Sequence, residues 1–513
     1  MNNYSYIPSC QENSISKPRN GKMVKLMELK TNALYYGDNL KILREHFPDE
    51  SVDLIYLDPP FNSKRDYNVI FKEEENKESE AQIEAFTDTW KWGPEAERTY
   101  HDIMTNAPTQ NIADMIDSLI KFLGHNDLTA YLVMMTPRLI ELRRVLKNTG
   151  SLYLHCDPTA SHYLKTIMDV IFGKENFQNE VIWRYRRWPT KAQRFQRMHD
   201  VILFYSKSQA RERDFNTLYE NLAKSTLEQW GTKKQRAVFE EGKRVVSSST
   251  EEESPGAPMS DVWEVSIIAP ISKERLGYPT QKPVALLEII IKASSNEGDV
   301  VLDPFCGCGT ALVAAQKLKR KWVGIDITHL AVGLMRKRLK DSFPGLKIEV
   351  IGEPKDLSGA VDLAKHDRFQ FEWWAVDLAG GRPVQDKRKG SDKGIDGVIP
   401  FLDGKEDAKK VLLQVKSGHT DVSQIRDLNG VIEREKAAIG VFITLEEPTN
   451  PMKKEATVAG FYHSETWNKD YPRTQILTVE DLLSGKEVDM PPHKEPYKET
   501  DAVEETSETL ELF

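Results

Sequence analysis

A chain of 513 residues is too long for one hydrophobic core, so two or three domains are expected. With 39% hydrophobic and 29% charged residues and no apolar run of the about 20 residues that cross a bilayer, the composition excludes a helical membrane protein; four cysteines exclude a disulfide framework. The net charge of −9 argues against a uniformly basic chain, yet residues 183–244 hold 15 Lys/Arg against 7 Asp/Glu, and nucleic-acid binding needs only a basic face.

The first thirty residues are polar, contain Pro8 and Pro18 and lack the apolar centre of a signal peptide, so residues 1–30 are expected to be disordered and the protein cytoplasmic. A short helix follows over 39–47, capped near Asp38. Residues 51–57 read as a strand buried on both faces, which delivers Asp58-Pro59-Pro60-Phe61 to the edge where open parallel sheets bind ligands. Alone, that tetrapeptide could be a rigid turn. Lys64 and Arg65 just beyond it are phosphate contacts or solvated charges. The charge-dense residues 71–83 read as a solvated loop.

Helices are expected over 112–123 and 128–146, a strand over 150–155 and a helix over 161–172. The run Trp183 to Trp188 interleaves aromatics with Arg184, Arg186 and Arg187, and Lys191, Arg194 and Arg197 continue the charge; guanidinium groups beside aromatic faces suit phosphate clamping and base contacts. After a strand at 199–205, periodicity is weak to about residue 260. Tyr278-Pro279-Thr280-Gln281-Lys282-Pro283 then precedes a helix over 284–293.

Val301 to Thr310, the apolar run 311–318 and Lys321 to Asp326 read as strand, glycine-rich turn, helix and a second strand ending in a carboxylate. Glycines let the backbone approach a ligand, and the terminal acid can accept from ribose hydroxyls. The turn lacks a full GxGxxG and the GKS/T of a phosphate loop, so a nucleoside cofactor without a pyrophosphate fits better than NAD. Cys306 and Cys308 read as small residues packed in that turn. A helix over 328–339 and a strand over 347–351 complete the pattern.

Asp303-Pro304-Phe305 with Gly307 and Gly309 resembles the S-adenosylmethionine (AdoMet) motif of the amino-directed DNA methyltransferases. Asp58-Pro59-Pro60-Phe61 resembles their catalytic tetrapeptide, and the segment 278–283 resembles the one that family sets before the cofactor strand. The order, catalytic motif first, looks like the permuted beta arrangement, and the resemblance covers residues 30 to 350. It implies an α/β fold: a Rossmann-like AdoMet-dependent methyltransferase domain over 31–352 in permuted order, with a target-recognition insertion at 183–260. It further implies catalysis by Asp58, Pro59, Pro60 and Phe61, and AdoMet held by Asp303, Phe305, Gly307, Gly309, Thr310 and Asp326 with Thr280 and Lys282. The substrate would be double-stranded DNA with its target base flipped out. Asp at position 58 favours adenine N6 within the resemblance, with cytosine N4 as the alternative.

Residues 353–367 read as a linker, 368–485 as a smaller α/β domain and 486–513 as a solvated acidic tail. Asp396 before one strand, with Gln414 and Lys416 two residues apart on the next, would gather an acid, an amide and an amine at one edge. This resembles the PD-(D/E)xK nucleases, in particular the Mrr-type restriction-endonuclease-like subgroup in which Gln replaces the second acid. Glu372 on the preceding helix would join Asp396 in holding Mg²⁺. Two further readings follow: a single-chain restriction and modification enzyme that cleaves DNA, or a methyltransferase carrying a non-catalytic DNA-binding module. A homodimer and a partner from a restriction system are also compatible with the resemblance.

Overall fold

The computed structural model describes residues 28–492 except 61–65, 73–77, 88–90, 189–190, 192, 210–212, 241–242, 270, 279, 385–393 and 405–407. The expectations for Phe61, Lys64, Arg65, the first 27 residues and the tail beyond 492 lie outside the described residues.

Nine strands make one sheet: β1 (Ala33–Tyr36), β2 (Val52–Leu57), β3 (Leu146–Cys156), β4 (Phe177–Arg184), β5 (His199–Ser206), β6 (Val262–Glu264), β7 (Val300–Asp303), β8 (Lys321–Asp326) and β9 (Glu349–Ile351). Their spatial order is β6-β4-β5-β3-β2-β7-β8-β1-β9. All neighbours are parallel except β5, which runs antiparallel to both β3 and β4. Strand β2 shows why the sheet must be covered twice. Ile55 and Leu57 enter the core on one face, while Leu54 and Tyr56 enter the core on the other.

On the first face lie α1 (Asn39–His46) and α2 (Asp127–Val145); on the second lie α3 (Val284–Ser294), α4 (Thr310–Lys317) and α5 (His329–Ser342). The Asp38 carboxylate accepts from the Lys41 N–H at 3.0 Å and caps α1, as its sequence position suggests. No helix among the described residues is long and apolar enough to cross a membrane.

Two sequence expectations are corrected. Residues Asp66–Lys72 and Glu78–Thr87 pair as antiparallel strands where a solvated loop was expected. In the sequence, alternate positions Tyr67, Val69 and Phe71 carry strand-forming residues that the neighbouring charge obscures. The stretch read as a linker contains α6 (Leu357–His366), capped by Asp356, whose carboxylate accepts from Gly359 N–H at 2.8 Å. Ala360 of α6 is fully buried in the core of the C-terminal unit, so that unit begins earlier than its charge pattern suggests.

That unit holds α7 (Arg368–Leu378) and a five-stranded sheet of β10 (Arg382–Pro383), β11 (Gly397–Leu402), β12 (Ala408–Lys416), β13 (Ile439–Thr444) and β14 (Thr474–Thr478) in sequential order. Strands β10 to β12 are antiparallel and β12 to β14 parallel.

Candidate active site

Because β2, β7 and β8 are parallel neighbours, their C-terminal ends bring Asp58, Asp303 and Asp326 to one edge of the sheet. One cavity opens there. Asp58, Pro59, Pro60, Asp303, Phe305, Gly307, Thr310 and Asp326 line it, and Thr280 and Lys282 also border it. Residues far apart in the chain thus share one space, as the sequence motifs require.

The Lys282 ammonium donates to the Asp58 carboxylate, with both side chains mostly buried, and also to the Thr280 carbonyl at 3.4 Å. This pair fixes the acid at the cavity wall. The glycine turn is organised by carboxylates. Asp303 accepts from Phe305 N–H at 3.1 Å; Asp326 accepts from Gly307 N–H at 2.9 Å and from the Thr328 N–H and hydroxyl at 3.0 Å each.

Burial pushes the Asp303 carboxyl well above the ordinary range, and pushes Asp326 up to about 6 against the hydrogen bonds that favour its charge. Gly307 sits at φ +48°, and a Cβ there would come within 3.1 Å of the Tyr278 ring, so the turn cannot carry a side chain without moving Tyr278. Gly309 has a structural job of its own. It lies outside the cavity lining, at φ +74° as the N-cap of α4, where a Cβ would meet Met335 at 2.8 Å. Cys306 and Cys308 are buried in the turn with their thiols pushed up by burial, as packed residues should be.

The cavity residues Asn39, Tyr56 and Arg138 carry no motif and escape sequence reading. Asn39 donates to the Pro304 carbonyl at 2.8 Å and accepts from Arg138 Nε at 2.7 Å, so α1 and α2 clamp the cofactor-motif backbone from the first face. Tyr56, just ahead of Asp58, shares a hydrogen bond of 3.0 Å with His155 Nδ1. His155 Nε2 lies 3.4 Å from Asp200, which also accepts from the Tyr185 hydroxyl at 3.0 Å. The one available signal for Asn39 and Tyr56 was position at or near the C-terminal end of a strand, the feature that marks His155 in the sequence.

The basic run divides by strand alternation. Trp183 and Tyr185 point inward and are buried, whereas Arg184, Arg186, Arg187, Lys191, Arg194 and Arg197 are exposed. Of the run's aromatics, Trp188 is 92% exposed, and Phe195 beyond it is exposed as well. Arg184 pairs with Glu264, Arg197 lies 3.8 Å from Asp157, and Arg187 stacks over the Tyr185 ring at 4.9 Å.

In the C-terminal unit the four candidate nuclease residues are not all gathered. Gly397 pairs with Leu413, so Asp396 stands opposite Gln414 across the strands, and Lys416 follows on the face of Gln414. Leu412, also on that face, packs with Ile425 and Leu428. Phe371 and Trp374 of α7 instead pack with Leu413 and Val415, so the helix carrying Glu372 covers the opposite face. Glu372 accepts from Arg368 Nε at 2.8 Å and Asp396 from Val415 N–H at 2.7 Å, while the buried Gln414 Oε1 has no hydrogen-bond partner.

Residues 370–484 match a family model described as NACHT-associated inactive Restriction Endonuclease 1, and the C-terminal unit is restriction-endonuclease-like. Residues 52–336 match a model for N6/N4 methyltransferases described as DNA methylase. The chain is 31% identical over 247 residues to Type II methyltransferase M.HpaI of Haemophilus parainfluenzae, covering 47% of this chain and 71% of that protein. It is 28% identical over 306 residues to DNA adenine methyltransferase YhdJ of Escherichia coli, covering 59% and 81%. A shorter stretch of 85 residues is 47% identical to Type II methyltransferase M2.DpnII of Streptococcus pneumoniae, covering 17% and 32%. With the match spanning more than half of its length and the catalytic and glycine-turn motifs meeting in one cavity, the chain belongs to the N6/N4 DNA methylase family.

Proposed function

We propose that this methylase transfers the methyl group of AdoMet to N6 of an adenine flipped out of double-stranded DNA. The observation that carries the reading is the single cavity shared by Asp58 and Asp326. The adenine assignment rests on Asp at position 58 and on the likeness to a relative named an adenine methyltransferase.

The residues present fit AdoMet. Gly307 keeps the turn free of a side chain, Asp326 presents its carboxylate at the cavity wall to a ribose hydroxyl, and the buried Asp303 suits the methionine amine. When bound, AdoMet supplies an electrophilic methyl group on a positively charged sulfur. The exocyclic nitrogen of adenine is a poor nucleophile because its lone pair is delocalised into the ring. Asp58 and the Pro59 carbonyl accept its two amino hydrogens and hold the nitrogen pyramidal, with its lone pair directed at the methyl carbon. Pro60 keeps Pro59 extended, so the acceptors stay in place. Asp58 is then the group that takes the proton shed by the methylated nitrogen. Such chemistry cannot reach a paired base, so the duplex must present its target unstacked. Tritium transfer from labelled AdoMet is expected into unmethylated duplex DNA and not into RNA; label in RNA alone would overturn the substrate class.

Exposed Arg186, Arg187, Lys191 and Arg194, flanked by Trp188 and Phe195, form the surface that would grip DNA. Each phosphate contact contributes a slope of about 0.9 to the salt dependence of binding. Replacing Arg186 and Arg194 together by Ala is therefore expected to lower the slope of log Kd against log salt by about 2, measured by fluorescence anisotropy. An unchanged slope would remove these arginines from the interface.

We further infer that the C-terminal unit does not cleave DNA. Its Mg²⁺ donor set is short: Asp396 and the neutral Gln414 share a face, whereas Glu372 lies on a helix covering the other and is paired with Arg368. Supercoiled unmethylated plasmid should stay intact with the protein and Mg²⁺. Linearisation that is lost on Asp396→Ala would contradict this and restore the cleavage reading.

A further inference from the structure

The C-terminal unit touches the methylase domain at a specific place. Gln370, Trp373 and Asp377 recur at helical spacing along one face of α7, while Phe371, Trp374 and Ala375 on another face belong to the unit's own core. The first face meets the elements that build the cofactor side of the cavity. Trp373, 7% exposed, packs in one cluster with Tyr278, Cys308 and Leu330. Tyr278 and Cys308 line the cavity themselves, so the cluster that holds Trp373 reaches the cavity wall.

Polar contacts fix the same junction. The N–H of His329, one of the four that the start of α5 leaves without a helical partner, donates to Gln370 Oε1 at 2.9 Å. The preceding residue, Thr328, donates twice to Asp326. Further along α5, Arg336 pairs with Asp377, and a Cβ on Gly333 would meet Asp377 Oδ1 at 2.9 Å, which shows how closely the helices approach. His329 stacks on Tyr36 at the end of β1, with ring centroids 3.6 Å apart.

We propose that α7 forms the back wall of the AdoMet site, with Trp373 and Gln370 as positioning residues. Trp373 holds Tyr278 and the Cys308 end of the glycine turn; Gln370 holds the corner from Asp326 to His329. A domain that has the fold of a nuclease thus sets the affinity of the methylase for its methyl donor. This rests on the reading of the cavity as an AdoMet site.

The test is calorimetric AdoMet binding by the full-length protein, with steady-state methyl transfer on the same preparations. Trp373→Ala is expected to raise both Kd and KM for AdoMet about tenfold, leaving kcat at saturating AdoMet within about twofold and DNA affinity unchanged. Trp373→Phe, which restores an aromatic filler, should return Kd to within about threefold of wild type. Gln370→Ala removes a hydrogen bond and leaves the apolar packing, so it serves where Trp373→Ala folds poorly; a rise of about three- to fivefold is expected. A smaller active fraction at unchanged Kd and KM would reduce Trp373 to a packing residue and overturn the proposal. Wild-type affinity in Trp373→Ala or, where that variant folds poorly, in Gln370→Ala would do the same while leaving the AdoMet site intact. Failure of the wild type to bind AdoMet would instead remove the parent reading, and this one with it.

Discussion

Asp58→Ala is expected to lower methyl transfer about a thousandfold while leaving the Kd for AdoMet within about threefold of wild type. The size follows from the general cost of removing one preorganised partner of the reacting group, roughly 10²- to 10³-fold, here at the upper end because Asp58 also receives the departing proton. The selectivity follows from geometry. Asp58 is anchored by Lys282, whereas Asp326 is held by Gly307 and Thr328, so the two carboxylates have separate anchors. Single-turnover transfer and calorimetry on one preparation separate the two effects. Near-normal transfer by Asp58→Ala would show that the amine is activated elsewhere.

Asp326→Ala should give the complementary result, a Kd for AdoMet raised about a hundredfold. A charge-assisted hydrogen bond to the ribose is lost, at about 1.5–3 kcal/mol, and the Gly307 and Thr328 donors lose their acceptor, which loosens the turn. The same carboxylate predicts a pH dependence. Burial raises its folded-state pKa to about 6, so its charge is present above that pH and is lost as pH falls through it. AdoMet affinity is therefore expected to be flat from about pH 7 upward and to fall up to tenfold per unit below 6. Asp326→Asn should remove this step and bind about tenfold more weakly at pH 7.5. An unaltered Kd in Asp326→Ala would mean that the ribose is held by other groups.

The convergence of three acids was readable because local chemistry and topology point the same way. Asp58, Asp303 and Asp326 each end an apolar strand, and parallel strands deliver their ends to one edge. Pairing of Lys282 with Asp58, two residues more than two hundred positions apart, was legible only as a lysine able to offset a carboxylate. Asn39 and Arg138 were invisible because they act on a backbone carbonyl, Pro304, which leaves no residue signature. Gly309 shows another limit: a glycine needed for positive φ and close helix packing looks the same in sequence as one needed for a ligand. In the C-terminal unit, spacing correctly paired Gln414 with Lys416 along one strand, but only the tertiary packing of α7 shows on which face Glu372 lies.

The junction at α7 was hidden as well, since Trp373 lies between two residues that mark other roles. Phe371 and Trp374 serve the unit's own core, and Glu372 carried the nuclease expectation. Nothing in the order Phe-Glu-Trp-Trp distinguishes the tryptophan that faces the methylase domain from its neighbour that does not.

The most direct test of the central claim is nucleoside mass spectrometry of mixed-sequence, unmethylated duplex DNA after incubation with the protein and AdoMet. N6-methyladenine is the predicted product. N4-methylcytosine would contradict the choice of base while keeping the amine chemistry at Asp58, and a ring-carbon methylated base would contradict the mechanism itself.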